Sequence, residues 1–150
     1  MKNKEVTINL REITEDTVEE VCRLNVEEYQ KKFVASNAYS IAQAYFSKIA
    51  WFRAIYANEN IIGFVMIEDQ PDKSEYCLWR FMIDKKYQRK GFGLKAMQLI
   101  IEHIKNRPNS TEFLTCVVQD KGGPQGFYEK LGFKLTGEYY EGEAIMRLKF

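Results

Sequence analysis

The chain has 150 residues, 45% of them hydrophobic and 29% charged, with a formal net charge of +1. This is the make-up of one globular domain spanning residues 1–150, large enough for a proper core. Near-neutral charge argues against nonspecific nucleic-acid binding, and no apolar run of about 18 residues offers a membrane span.

Charge is unevenly spread. Residues 1–75 hold nine Lys and Arg against thirteen Asp and Glu, while residues 76–150 hold thirteen against eight. A basic half suits an anionic cofactor and an acidic half a cationic substrate. Met1 to Glu5 is followed by no apolar segment of signal-peptide type. Cys22, Cys77 and Cys116 are widely spaced, match no metal pattern and sit in apolar segments, so they read as buried, reduced thiols of a cytoplasmic protein.

In chain order, Val6 to Ile13 alternates apolar and polar residues and reads as a half-buried strand. Thr14 to Thr17 resembles a capping pattern. Val18, Cys22, Val26, Tyr29 and Phe33 then recur at helical spacing, predicting a helix from Val18 to about Lys32 with an acidic face of Glu19, Glu20, Glu27 and Glu28. Phe33 to Ser40 reads as a loop. Ser40 is placed to cap a second helix to Ile49, with Ala42, Tyr45, Phe46 and Ile49 as its apolar face. Trp51 to Ala57 and Ile61 to Ile67 form a hairpin about Asn58-Glu59-Asn60, and Tyr76 to Ile83 is the next strand.

That strand runs into Asp84 to Lys90, a basic turn, and then into Gly91-Phe92-Gly93 at the start of a helix marked by Leu94, Met97, Ile101 and Ile104. The first turn of a helix has unpartnered N–H groups and the positive end of the dipole, which suits a diphosphate. Gly91 and Gly93 let phosphates approach the backbone, and Gln88, Arg89 and Lys90 add donors and charge. Gly91 to Ala96 also fits G-x-G-x-x-A, the dinucleotide fingerprint, but seven residues separate Ile83 from Gly91 and the acidic residue expected after the next strand is misplaced, so the Rossmann reading fits poorly.

Glu112 to Val118 reads as a buried strand, Gln125 to Leu131 as a short helix after Pro124 stopped by Gly132, and Phe133 to Tyr140 with Ala144 to Phe150 as a second hairpin. The order β-α-α-β-β-β-α-β-α-β-β is that of an α/β (α+β) domain, a mixed, mostly antiparallel sheet flanked by helices.

Two motifs carry a family resemblance over nearly the whole chain. Gln88-x-x-Gly91-x-Gly93 between a strand and a helix resembles the coenzyme A loop of the GNAT N-acetyltransferases, and Phe127-Tyr128-Glu129-Lys130-Leu131-Gly132-Phe133 resembles a second segment of that superfamily. Phe33 to Asn37, Arg80 to Asp84, and the ending around Gly137-Glu138 and Gly142-Glu143 are similar to the bacterial spermine/spermidine (diamine) acetyltransferase group. Two positions depart: Lys121 and Pro124 stand where many members carry Asn and Ala. Arg89 replaces a Gly common in the subgroup, a change expected to be harmless.

The resemblance implies transfer of acetyl from acetyl-CoA to an amine by direct attack, without a metal, in a cytoplasmic enzyme whose relatives are often homodimers. Cosubstrate contacts are implied for Met82, Ile83, Gln88, Arg89, Lys90, Gly91, Phe92, Gly93 and Lys130, with backbone N–H near Met82 and Ile83 facing the developing oxyanion. Tyr128 is the implied acid for the departing thiolate, a phenol of pKa near ~10 matched to a thiolate. Glu75 and Glu28 are candidate bases, and Trp51, Tyr76 and Trp79 candidate walls of an acceptor pocket. The acceptor implied is a small polycation; a protein amine, an aminoglycoside, an amino acid, or a non-catalytic coenzyme A module stay open.

Overall fold

The structure, a computed structural model, describes residues 5–150, so the expectation for Met1 to Lys4 lies outside the described residues. The elements are β1 (Ile8–Arg11), α1 (Val18–Arg23), α2 (Asn37–Tyr45), β2 (Ala50–Ala57), β3 (Asn60–Gln70), β4 (Glu75–Ile83), α3 (Phe92–Lys105), β5 (Glu112–Val117), α4 (Gln125–Lys130), β6 (Lys134–Tyr140) and β7 (Glu143–Lys149). The order is the expected one. The strands form a seven-stranded sheet, β1-β2-β3-β4-β5-β7-β6, antiparallel throughout except between β4 and β5.

Each face of the sheet has its own core. On one, α3 lays Ala96, Met97, Ile100 and Ile104 onto Ile55, Ile62, Val65 and Ile67, and α4 adds Tyr128 against Phe113 and Phe133. This is an i, i+3/i+4 stripe, and each fully buried Met or Ile contributes roughly 1.5–3 kcal/mol. Leu94 is 36% exposed rather than part of that stripe, because α3 begins at Phe92 and its first turn faces a groove. On the other face α1 and α2 pack Val21 and Ala44 onto Ala54, Phe64, Met66 and Met82.

Two predicted helices are corrected. The first ends at Arg23, and Glu28–Gln30 forms a separate 3-10 turn. Leu24 is extended at its end, because Asn25 is drawn away: its N–H donates to Asp84 Oδ2 at 2.8 Å, and its carbonyl accepts from the Lys85 N–H at 2.8 Å. The second helix starts three residues earlier than Ser40, at Asn37, with Ser36 Oγ accepting from the Tyr39 N–H. That shifts its buried face to Asn37, Ser40 and Ala44 and leaves Tyr45 and Phe46 exposed. Asn37 is held by its own chemistry, donating from Nδ2 to the Val21 carbonyl at 2.9 Å. Thr17, not Thr14, precedes α1, and its hydroxyl accepts from the Thr14 N–H.

The sheet carries a fork. Met66 faces Arg80 and Ile67 faces Leu78, so Trp79 has no partner on β3. Such a bulge bends a strand and adds twist. Accordingly β4 pairs with β5 only at Cys77↔Leu114 and Leu78↔Thr115; beyond them the two strands part.

Candidate active site

The parting strands open a groove of about 1760 Å³ lined by Leu78 to Ile83 on one wall and Thr115 to Val118 on the other. Strand edges that lack a neighbour present N–H and C=O groups at regular spacing, a surface on which an extended, amide-bearing chain docks by strand-like hydrogen bonds. Met82 and Ile83 are on this wall, as their expected role requires.

At the C-terminal end of β4 the chain is locked before it reaches the glycines. The buried Asp84 carboxylate accepts from the Asn25 N–H through Oδ2 and from the Lys86 N–H at 2.9 Å through Oδ1. Gln88 Nε2 donates to the Ile83 carbonyl and to Gln30 Oε1, both at 2.8 Å. Gln88 thus braces the loop against β4 and the Glu28–Gln30 turn. Gly91 precedes α3 at φ +80°, a conformation in which glycine alone is unstrained. No side chain caps the first turn of α3, and that turn contains no acidic residue. Its N–H groups therefore remain free for an anion beside Gly91, Gly93 and Leu94, all of which line the groove. Gln88, Arg89 and Lys130 line it too, whereas Lys90 and Phe92 are outside the lining. The loop fits a diphosphate on chemistry of its own.

Arg89 stands at φ +62°. The position favours glycine, so the substitution expected to be harmless carries a backbone cost of about 1–2 kcal/mol.

Tyr128 is 7% exposed and reaches the groove from α4. Its ring is held edge-on by Phe127 and Phe133 at 5.4 and 5.6 Å between centroids. Burial pushes its phenol above the ordinary value, opposed in part by the nearby Thr115 hydroxyl. It stays protonated well past neutrality and is therefore a proton donor, not a phenolate. Neither Lys121 nor Pro124 replaces a missing contact: Lys121 is exposed and outside the lining, and Pro124 precedes α4 on the groove wall.

Four carboxylates line the groove: Glu68, Glu75 and Glu143 on strands at the sheet face that carries α2, and Glu141 in the turn between β6 and β7. Arg80 lies among them, feels Glu143 and Glu68, and donates from Nη2 to Gln43 Oε1 of α2 at 3.0 Å. Glu68 is half-buried; desolvation raises its pKa, Arg80 opposes that and Glu75 adds to it. Glu68 and Glu143 escape a sequence reading because nothing local marks them; only strand pairing brings them to Cys77.

Of the other candidates, Glu28 and Trp51 fall outside the groove, and Tyr76 and Trp79 line it. Glu28 sits on the 3-10 turn, not on a helix, fully exposed and paired with Lys31 at 2.6 Å, outside the lining. Trp51 stacks on His103 of α3 at 4.3 Å, away from the groove. Tyr76 lines the groove but is buried in the core, its hydroxyl donating to the Pro108 carbonyl at 2.6 Å. Trp79 is on the groove wall. The cysteines are half-buried rather than buried, and two of them, Cys77 and Cys116, line the groove. Among the described residues no helix is long and apolar enough to cross a membrane, and no group of three or more His, Cys, Asp or Glu is disposed to hold a metal ion.

Known proteins are similar to this chain in sequence or in fold. A spermine/spermidine N(1)-acetyltransferase of Bacillus subtilis (strain 168) is 24% identical over 94% of this chain and 97% of its own. The solved PaiA N-acetyltransferase of Thermoplasma acidophilum, in complex with coenzyme A, superposes with a TM-score of 0.67 at 22% identity, covering 96% of this chain and 99% of its own. The ribosomal-protein-S18-alanine N-acetyltransferase of Escherichia coli gives a TM-score of 0.70 at 16% identity, covering 95% and 94%. The acetyltransferase (GNAT) family profile matches residues 15–133, a span that takes in the forked strands, the uncapped helix and Tyr128, and the chain belongs to that family.

Proposed function

We propose that this acetyl-CoA-dependent N-acetyltransferase acts on a primary amine of a small polycation, a polyamine of the spermidine or spermine kind. The observation that carries the reading is the meeting of Glu68, Glu75 and Glu143 on one face of the fork, opposite the face that carries Tyr128. A chain of ammonium groups is held there by charge-assisted hydrogen bonds, and its spacing places one amine at the fork. The kinship with a spermine/spermidine acetyltransferase supports the same acceptor.

In this reading the first turn of α3, with Arg89 and Lys130, holds the diphosphate of acetyl-CoA, and the open β4 edge at Met82 and Ile83 holds the amide-bearing arm. Acetyl-CoA supplies an acyl thioester when bound. An amine enters as an ammonium of pKa near ~10.4 and must lose a proton; Glu68 and Glu75, adjoining carboxylates, receive it directly or through water. Glu68, half-buried, is a stronger base than a carboxylate in water. Tyr128 holds its proton within the groove and delivers it to the departing sulfur.

Free-thiol release from acetyl-CoA tests the acceptor. With spermidine, spermine, an aminoglycoside, a lysine peptide, a free amino acid and a peptide N-terminus compared, kcat/KM is expected to favour the polyamines by about tenfold or more, the worth of one well-made charge contact. A higher value for another amine keeps the transferase and overturns the polyamine reading.

A further inference from the structure

Cys77 and Cys116 have no part in the transfer described above, yet they stand at its centre. Cys77 is opposite Leu114 in the parallel β4–β5 pair, and Cys116 is two residues further along β5, on the same face of the sheet. Both are free, half-buried and in the groove wall. Cys77 Sγ donates to the Leu78 carbonyl at 3.7 Å, and the ionisation of each thiol is set first by the other. Cys116 lies just past Thr115, the last paired position, where the strands begin to part. We propose that Cys77 and Cys116 form a peroxide-sensitive dithiol whose disulfide bridges the fork on its acceptor side and reversibly stops acetyl transfer.

The chemistry follows from the pairing. Of the two, Cys116 ionises first, held below the ordinary thiol range by the Cys77 thiol beside it, and Cys77 keeps its proton. Glu68 and Glu143 work against ionisation of both, and the contact between the thiols outweighs them at Cys116. A half-exposed thiolate is the nucleophile of thiol oxidation. Cys116 thiolate attacks one oxygen of hydrogen peroxide; it becomes a sulfenic acid and hydroxide departs, taking up the proton lost by Cys116 to leave water. The Cys77 sulfur then attacks the Cys116 sulfur, the S–O bond breaks, and the hydroxyl leaves with the Cys77 proton as a second water. Two thiols are oxidised and one peroxide is reduced. The bond draws Cys116 toward Cys77 at the neck of the groove, beside Thr115 and near the Tyr128 phenol, where the reacting groups must meet. Dithiols such as dithiothreitol reverse it by exchange. Cys22, on α1 and outside the groove lining, is the internal control.

The inference needs the groove and its transferase activity, not the identity of the amine. The full-length enzyme is reduced, freed of reductant, treated with hydrogen peroxide and alkylated, with intact mass, a non-reducing peptide map and thiol release followed in parallel. The expected result is a fall from three alkylatable thiols to one, a single Cys77–Cys116 cross-link, and loss of rate by about tenfold or more that dithiothreitol restores. Cys77→Ser and Cys116→Ser, or the alanine variants if serine disturbs folding, each compared with its own untreated sample, no longer lose rate reversibly; Cys22→Ser still does. Three thiols left free, a cross-link that leaves the rate unchanged, or equal reversible loss in the Cys77 and Cys116 variants overturns it.

Discussion

Arg89 carries two opposed effects on one side chain. Its φ of +62° is a position for glycine, while its charge lies on the lining of the same groove as the first turn of α3. Arg89→Gly is therefore expected to raise stability by up to about 1 kcal/mol and to weaken coenzyme A by roughly three- to fivefold, the worth of one exposed charge contact. Urea unfolding and calorimetric titration read the two separately; a variant both less stable and equally tight would contradict the assignment. Glu68 makes a similar trade. Its raised pKa means that the folded state binds a proton more readily than the unfolded chain. The stability associated with the protonated form is fully present below the unfolded pKa and is lost as pH rises through the folded value. Glu68→Gln should accordingly melt higher than wild type at pH ~7 and equally at pH ~3, well below the unfolded pKa of ~4.3, where both states are protonated. In the proposed reaction it should also turn over more slowly.

At the scale of elements, the end of β4 is set by a glycine on its neighbour. A Cβ on Gly63 would lie 2.4 Å from the Met82 carbonyl oxygen. Gly63→Ala is expected to cost about 1–3 kcal/mol as β3 is forced away from β4 and to weaken coenzyme A as well, since Met82 and Ile83 form the groove wall; denaturant midpoint and titration calorimetry check both. The elements themselves were mostly legible, since alternation and helical periodicity are local properties. So were the glycine turn that opens α3 and the short helix that carries Tyr128, because Gly91, Gly93 and Tyr128 sit in short runs of fixed spacing. What was illegible depends on contacts far apart in sequence. The early end of α1 follows from Asn25 meeting Asp84, 59 residues away. The fork follows from the unpaired Trp79, which no residue type announces. Glu28 drew notice from an acidic helical pattern that the chain abandons at Leu24, while Glu68 was hidden in a hydrophobic strand's polar end.

The whole molecule works as two sheet halves hinged on two paired positions, Cys77↔Leu114 and Leu78↔Thr115. One face brings the uncapped α3 and the buried phenol of α4 to the fork, and the other brings the carboxylates. In the proposed reaction these groups meet, with Tyr128 giving up the proton. Burial holds that phenol above its ordinary pKa, so no alkaline decline from Tyr128 is expected below pH ~10. The most direct measurement is thiol release with spermidine for wild type and Tyr128→Phe, at saturating acetyl-CoA and pH ~8. The account predicts that kcat falls by about 10²-fold or more in the variant, with KM for acetyl-CoA changed by no more than about twofold. A variant with undiminished kcat would contradict it and return Tyr128 to the core as a packing residue.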